Sequence, residues 1–446
     1  MRRLSRVLAP GDLAGRVVRR ARRVADHLRL VVEMRIRLRT PLDQAVLYGL
    51  NDDEENLLCA ALGWADRYGG STILLAADPP RVRALLAVEA ALLGTPGLAD
   101  RVEVRPRTRR TLVRLHGRSR YVLTSHVVLA APRARAPRTH VHLGHGLGPK
   151  TYRNVRSSES GFLSAARVWD PAHRRAMGLE PAAARFSGFP RDQVLYPPRT
   201  PADDHALRRL GIDPDRPFVL WMPTFRRTRI GGSVWAEGRA LTDLTTELAG
   251  SARSAPAPGP APAPAPTALR PAARPPTPTA LRPAARHHGV QLVVKPHPVE
   301  HDALTGLADL TLTNPAIWAA GISPYRLIGL ADGLLTDYSS VAVEVLPLQR
   351  SLAFYCPDLD EFEHGVRGLC PPDYRALVGR LLLDDAAALD AFFRAVAGGQ
   401  RFRPVAAGRF TQVVGSTASA QAAAGGLDEV VRHALDRAPD PLLRPR

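Results

Sequence analysis

Lysine is almost missing from this chain. Of 61 basic residues only two are lysine, Lys150 and Lys295, and the other 59 are arginine. Cysteine is scarce as well: Cys59, Cys356 and Cys370 form an odd, scattered set without a CxxC pair. That excludes a disulfide framework, offers no obvious metal site, and fits a reducing compartment. Aromatic residues make up 6% of the chain and do not interleave with the basic ones. A reader of single-stranded nucleic acid, which stacks bases on aromatic rings, is therefore disfavoured. Zinc-finger spacing is absent too, so no nucleic-acid partner is expected. No apolar run is long enough for a secretory leader or a membrane span.

What is present is a chain of 446 residues, 45% apolar, enough for two or three domains with real cores. The formal charge of +19 favours anionic partners. Lysine is a compact charge on a flexible stem, which the planar fork of arginine does not reproduce. The two surviving lysines lie in the two segments most marked by histidine, HLGHGLGPK (His142–Lys150) and VVKPHP (Val293–Pro298). Their survival in an arginine-biased chain points to phosphate contact.

Met1–Thr40 holds 12 arginines against Asp12, Asp26 and Glu33, a net charge of +9. This segment reads either as an amphipathic helix lying on an anionic membrane surface or as a solvated, disordered arm. From Pro41 the chain becomes globular. Helices are expected at Asn56–Arg67 and Pro80–Leu93. Strands are expected at Ser71–Ala77, Val102–Val104, Thr111–Leu115 and Tyr121–Leu129. Alternation of the two implies a parallel sheet covered by helices on both faces.

In THVHLGHGLGPK, His140 and His142 alternate along an expected strand, and His145 follows in the Gly-rich loop at its carboxyl end. Ligands bind at that edge in α/β sheets. His145 can act there as a general base near neutral pH, with Lys150 pairing a phosphate. The competing reading is zinc held by His140, His142 and His145. The turn in FSGFPRDQV carries Arg191 and Asp192, and Arg199–Asp215, rich in Pro and Asp, is expected to cross between domains.

Phe218–Thr224 reads as a buried strand opening a second sheet, which puts Thr224 and Arg226 at its carboxyl edge. Ser251–Arg286 is low in complexity. TALRPAAR occurs in it at 267–274 and again at 279–286, and its proline density suggests a disordered or polyproline insertion. The strand Gly289–Val294 then delivers Lys295-Pro296-His297 to the same edge. A further strand, Gly333–Leu335, ends in the polar turn Thr336-Asp337-Tyr338-Ser339-Ser340 before an apolar helix start at Val341. Asp and Ser in that turn suit helix N-capping, and free N–H groups at such a junction suit a phosphate. Ser351–Tyr355 is a last strand, Asp358–Phe362 an acidic loop, and the remainder is expected to be helical.

Taken in order, HGLGPK, SGFPRD, LWMPTFR, VVKPHP and LLTDYSSVAVEVLPLQRSLAFYCPDLDEF resemble the CDP-glycerol glycerophosphotransferase family, the teichoic acid primases and polymerases, over about Thr139–Phe362. The family's YGRG-like segment is matched only loosely, by His364-Gly365-Val366-Arg367-Gly368. The resemblance implies a GT-B fold, two Rossmann-like domains facing across a cleft. The layout would be a basic arm at 1–40, an acceptor domain at 41–200, a CDP-donor domain at 201–440 and the insertion at 251–286. It implies that His145 deprotonates an acceptor hydroxyl and that Lys295 and His297 sit at the donor phosphates. Lys150, Arg191, Asp192, Asp337, Ser339 and Ser340 match further motif positions, and Thr224, Arg226 and Thr336 lie beside them.

No metal or cofactor is implied. The implied partners are CDP-glycerol or CDP-ribitol, a lipid-linked polyprenyl acceptor and an anionic membrane surface, on the cytoplasmic face of the membrane. A GT-B glycosyltransferase using a nucleotide sugar shares the same cleft. A basic protein binding anionic lipid or polymer without catalysis is the third reading, and it leaves the two lysines unexplained.

Overall fold

The computed structural model describes residues 21, 24–37, 41–68, 70–126, 129, 131, 138–144, 148–150, 159–179, 183–224, 275–297, 304–363 and 368–436. Among them run twelve strands in two sheets. The first sheet holds β1 (Leu42–Tyr48), β2 (Ser71–Ala76), β3 (Val102–Pro106), β4 (Ser119–Thr124), β5 (Thr139–His142), β6 (Gly161–Ser164) and β7 (Ala184–Ser187). The second holds β8 (Phe218–Met222), β9 (Gln291–Val294), β10 (Leu310–Thr311), β11 (Gly333–Thr336) and β12 (Ser351–Phe354). Their orders are β3-β2-β1-β4-β5-β6-β7 and β10-β9-β8-β11-β12, and every pairing is parallel.

Parallel strands lie between helices, so both faces must be apolar. β8 (FVLWM), β9 (QLVV), β11 (GLLT) and β12 (SLAF) meet that demand and are buried almost throughout. In each sheet the order reverses beside the first strand, between β1 and β4 and between β8 and β11. A crevice opens at the carboxyl ends of such a switch point. This is the expected α/β architecture of two Rossmann-like units, and it is GT-B-like.

Three expectations are corrected. Thr111–Leu115 is not a strand but the middle of helix Arg109–Arg118. The Thr108 hydroxyl accepts from Thr111 N and starts the helix, which buries Leu112, Val113, Leu115 and His116 along one side. Second, the low-complexity stretch does not run to Arg286. The second TALRPAAR copy lies inside helix Pro278–His287, with Leu281 and Ala285, one turn apart, fully buried. Pro283 sits within that helix on its exposed side and forgoes one backbone bond. The first copy lies outside the described residues.

Third, the basic arm is partly folded onto the first domain. Residues 24–37 are helical, Leu30 is fully buried, and Asp26, also buried, accepts from Arg109 Nε at 2.9 Å. Val24 and Leu28 remain on the outside.

The crossing between the sheets is fastened to the second domain. Arg326 is buried and grips Asp203 with two bonds of 2.9 and 2.6 Å, and its Nη atoms donate to the carbonyls of Pro197 and Pro198. Gly329 lets helix Pro324–Leu330 approach so closely that a Cβ there would stand 2.1 Å from Leu195 O. The last helix, Ala420–Asp436, returns to the first domain, where Gly426 faces Ser187 O and Arg67 pairs with Asp428 at 3.3 Å. Helix Ala420–Asp436 therefore does not stay with the second sheet, as a boundary at 440 would have it.

Candidate active site

Three loops leave the carboxyl edge of the second sheet at its switch point. Met222 leads to Pro223–Thr224, Val294 to Lys295-Pro296-His297, and Thr336 to the turn Asp337–Ser340. The turn is fixed from below. The Thr336 hydroxyl donates to Met222 O at 2.8 Å, and the Asp337 carboxylate accepts from Thr224 N at 3.0 and 2.9 Å. Tyr374 OH donates to Asp337 O at 2.5 Å, and Tyr338, stacked on Phe362, donates to Asp358 at 3.1 Å.

The expected N-cap is therefore corrected. Asp337 bonds the neighbouring loop, Ser340 has a helical backbone with no capping bond, and the helix that follows is only Val341–Glu344. Thr336 and Asp337 are fully buried, so Ser339, partly exposed, and the backbone of Ser339–Val341 are what the turn presents.

The first domain reaches across to this turn. Gly148 lies so close to Ser340 that an added Cβ would stand 3.0 Å from both Ser340 N and Ser340 Cα. Pro149 O accepts from Cys370 N at 2.6 Å, and Lys150 pairs with Leu369 in a short antiparallel bridge. From its own domain the loop is held by His173, a buried residue of helix Asp170–Met177, whose Nε2 lies 2.9 Å from Gly148 O. At the loop's start, Asn56 Nδ2 donates to Leu143 O at 3.3 Å and Gly144 O at 3.0 Å. His145 and Arg226 lie outside the described residues.

His140 and His142 are both buried on β5 and hydrogen-bonded there. His140 Nε2 lies 3.4 Å from Thr124 Oγ1 and 3.8 Å from Glu159, while His142 Nδ1 accepts from Gly144 N at 2.9 Å. Burial, together with neighbouring His116 and His142, drives His140 well below the usual imidazole range. Burial lifts Glu159 to about 7.

Sequence reasoning missed the other side of the cleft. Between β1 and helix Glu55–Arg67 runs Asp52-Asp53-Glu54-Glu55-Asn56, four consecutive acids in a basic chain, and that run was the available signal. Asp53 accepts from Asn314 of the second domain at 3.1 Å. Burial, then the charge of Glu54, lifts Glu55 to about 7, while Arg191 and Lys295 pull the other way. Lys295, half-buried, is lowered by burial and held up by Glu55 and Asp53. His297, two residues on, is exposed. One of the two lysines thus stands where carboxylates of the opposite domain face it.

Arg191 and Asp192 are brought to the joint between the domains rather than to open space. Arg191 Nε and Nη2 donate to the two Glu344 oxygens at 2.8 and 2.9 Å, and Nη1 lies 3.5 Å from Glu54. Its guanidinium also covers the Tyr325 ring at 4.2 Å. Asp192 Oδ2 accepts from Phe189 N at 3.1 Å and closes the turn, and burial followed by Glu344 raises its carboxyl well above the usual range.

Comparison with known proteins gives the same frame. A curated teichoic acid ribitol-phosphate primase from Bacillus spizizenii is 52% identical over 40 residues, 9% of this chain and 10% of that protein's length. Two structures titled wall teichoic acid polymerase TagF share the fold. One, soaked with CDPG, has a TM-score of 0.58 at 14% identity and covers 96% of this chain and 99% of its own. The other has a TM-score of 0.59 at 14% identity, over 95% and 98%. A family model described as CDP-Glycerol:Poly(glycerophosphate) glycerophosphotransferase matches residues 80–394, which takes in the first sheet from β3 onward, the whole second sheet and the motifs from HGLGPK to DLDEF, and the chain belongs to that family.

Proposed function

We propose that this protein transfers a polyol phosphate, glycerol phosphate or ribitol phosphate, from a CDP-activated donor to an acceptor hydroxyl and releases CMP in the synthesis of a teichoic-acid-like polymer. The observation that carries the reading is the meeting of Gly148 with Ser340, which joins the loop that follows His145 in sequence to the polar turn at the second switch point. In this mechanism the acceptor oxygen attacks the phosphorus bearing the polyol, and the bond from that phosphorus to the CMP oxygen breaks. His145 takes the hydroxyl proton. Lys295, His297, Ser339 and the N–H groups around Ser340 meet the charge on the phosphates, with Lys150 at the loop's far end. Positioning and fixed charges supply most of the catalysis in phosphoryl transfer, and these groups offer both.

The acceptor in this reading is a lipid-linked polyprenyl chain at the cytoplasmic face of the membrane. Among the described residues no helix is long and apolar enough to cross a membrane. Attachment would instead be peripheral. Arg29, Arg109, Arg110, Arg114 and Arg118 line one groove beside the exposed Val24 and Leu28, a face suited to anionic headgroups. A donor screen tests the reaction. Incubation with CDP-glycerol, CDP-ribitol, UDP-sugars and GDP-sugars and a polyprenyl-linked acceptor should release CMP from a CDP-polyol, whereas UDP or GDP release would make the protein a sugar transferase.

A further inference from the structure

The Gly-rich loop between β5 and Lys150 is anchored by two buried side chains, one at each end. Asn56, fully buried, donates from one amide nitrogen to Leu143 O and Gly144 O. Its Oδ1 lies 3.4 Å from Arg191 N, so the same amide ties the loop's start to the interdomain joint. His173 is 1% exposed and meets Gly148 O at 2.9 Å. A carbonyl can only accept, so His173 Nε2 carries the proton. Burial holds this imidazole below its usual range, against the pull of Asp170, which favours that neutral donor.

Only three residues, 145–147, separate the two anchored ends. The anchoring carries onward: Gly148 abuts Ser340, Pro149 O receives Cys370 N, and Lys150 pairs with Leu369.

We infer that Asn56 and His173 are positioning residues, which hold Leu143–Gly144 and Gly148 and so set the seat of Gly148 on the donor turn. Neither residue touches the reacting atoms in this account. The inference rests on the proposed transfer reaction for its catalytic consequence, and on the loop geometry alone for its structural one.

The test compares wild type with His173→Phe, which fills the space without a donor, His173→Gln, which keeps one, and Asn56→Asp, which keeps the acceptor and loses the donor. Hydrogen exchange is followed in peptides covering 143–150 and 368–370 and in peptides from β1 and β4. The expected result is faster exchange at 143–150 and 368–370 in His173→Phe and Asn56→Asp, unchanged sheet peptides, and recovery in His173→Gln. CMP release should show kcat down by roughly 10²-fold, the scale of a small misplacement of a catalytic group. Recovery in His173→Gln is expected there too.

Wild-type exchange in His173→Phe would overturn the inference, as would a uniform rise across the sheet peptides or normal kcat despite a loosened loop. A wild-type protein that releases no CMP from either CDP-polyol refutes the proposed reaction instead, and the exchange pattern then decides the anchoring by itself.

Discussion

Replacing Arg191 with alanine removes the charge at the centre of the joint between the domains. The guanidinium makes two parallel bonds of 2.8 and 2.9 Å to Glu344, and both side chains are almost fully excluded from solvent. Burial works against the Arg191 charge, yet Glu344, with Tyr325 and Glu54 behind it, offsets that and raises the guanidinium above its usual range. After the substitution Glu344 keeps one neutral donor to its carboxylate among the described residues, Tyr325 OH at 3.3 Å. Breaking one side of a buried pair strands the other charge and typically costs about 3–5 kcal/mol. Loss of the guanidinium from the Tyr325 face adds about 1–2 kcal/mol.

Urea unfolding followed by tryptophan fluorescence should therefore show Arg191→Ala less stable in its first transition by roughly 4–7 kcal/mol. Arg191→Lys should recover little, since an ammonium cannot make the parallel pair. The double variant Arg191→Met with Glu344→Gln should cost less than Arg191→Ala, because no charge is left stranded. A first transition for Arg191→Ala within about 1 kcal/mol of wild type, the scale of an exposed pair, would refute the claim that this contact fastens the domains.

Other outcomes follow from the cleft. Glu55 sits near 7 in the fold and near about 4.3 in an unfolded chain. The fold then holds an extra proton between those values, and stability falls as pH rises through 7. Glu55→Gln should gain thermal stability over wild type at pH 8, by up to roughly 4 kcal/mol, and gain nothing at pH 4. A difference that stays constant with pH contradicts the assignment. Gly148→Ala places a methyl group 3.0 Å from the Ser340 backbone. At about 1–3 kcal/mol for overpacking, donor affinity should fall roughly tenfold or more, and unchanged affinity would show that the contact is slack. Arg110→Glu with Arg114→Glu should weaken binding to vesicles rich in anionic lipid by well over tenfold, at about 1 kcal/mol for each basic residue near the surface. Equal binding would remove that face from the membrane account.

Both lysines singled out by composition lie at the cleft, Lys295 opposite Glu55 and Asp53 and Lys150 against Leu369. Strands with buried faces were legible because parallel sheets demand apolar runs, as in FVLWM and GLLT. Helix Arg109–Arg118 was not, since Thr111–Leu115 taken alone is a short apolar run that fits strand or helix, and the helical spacing of Leu112, Val113, Leu115 and His116 shows only when the residues beyond it are included. Helix Pro278–His287 was hidden by its prolines, although Leu281 and Ala285 stand four residues apart, as a buried helix face requires. Arg191 read as a ligand contact because nothing local reveals Glu344, 153 residues away. Asn56 carries no local signature at all, since its partners Leu143 and Gly144 are set by the fold.

The most direct test of the account is CMP release by wild type and His145→Ala, given CDP-glycerol or CDP-ribitol and a polyprenyl-linked acceptor. The account predicts CMP from wild type and a fall of about 10²–10⁴-fold in the variant, the usual cost of losing a general base, with donor binding retained. Near-normal turnover by His145→Ala would contradict it.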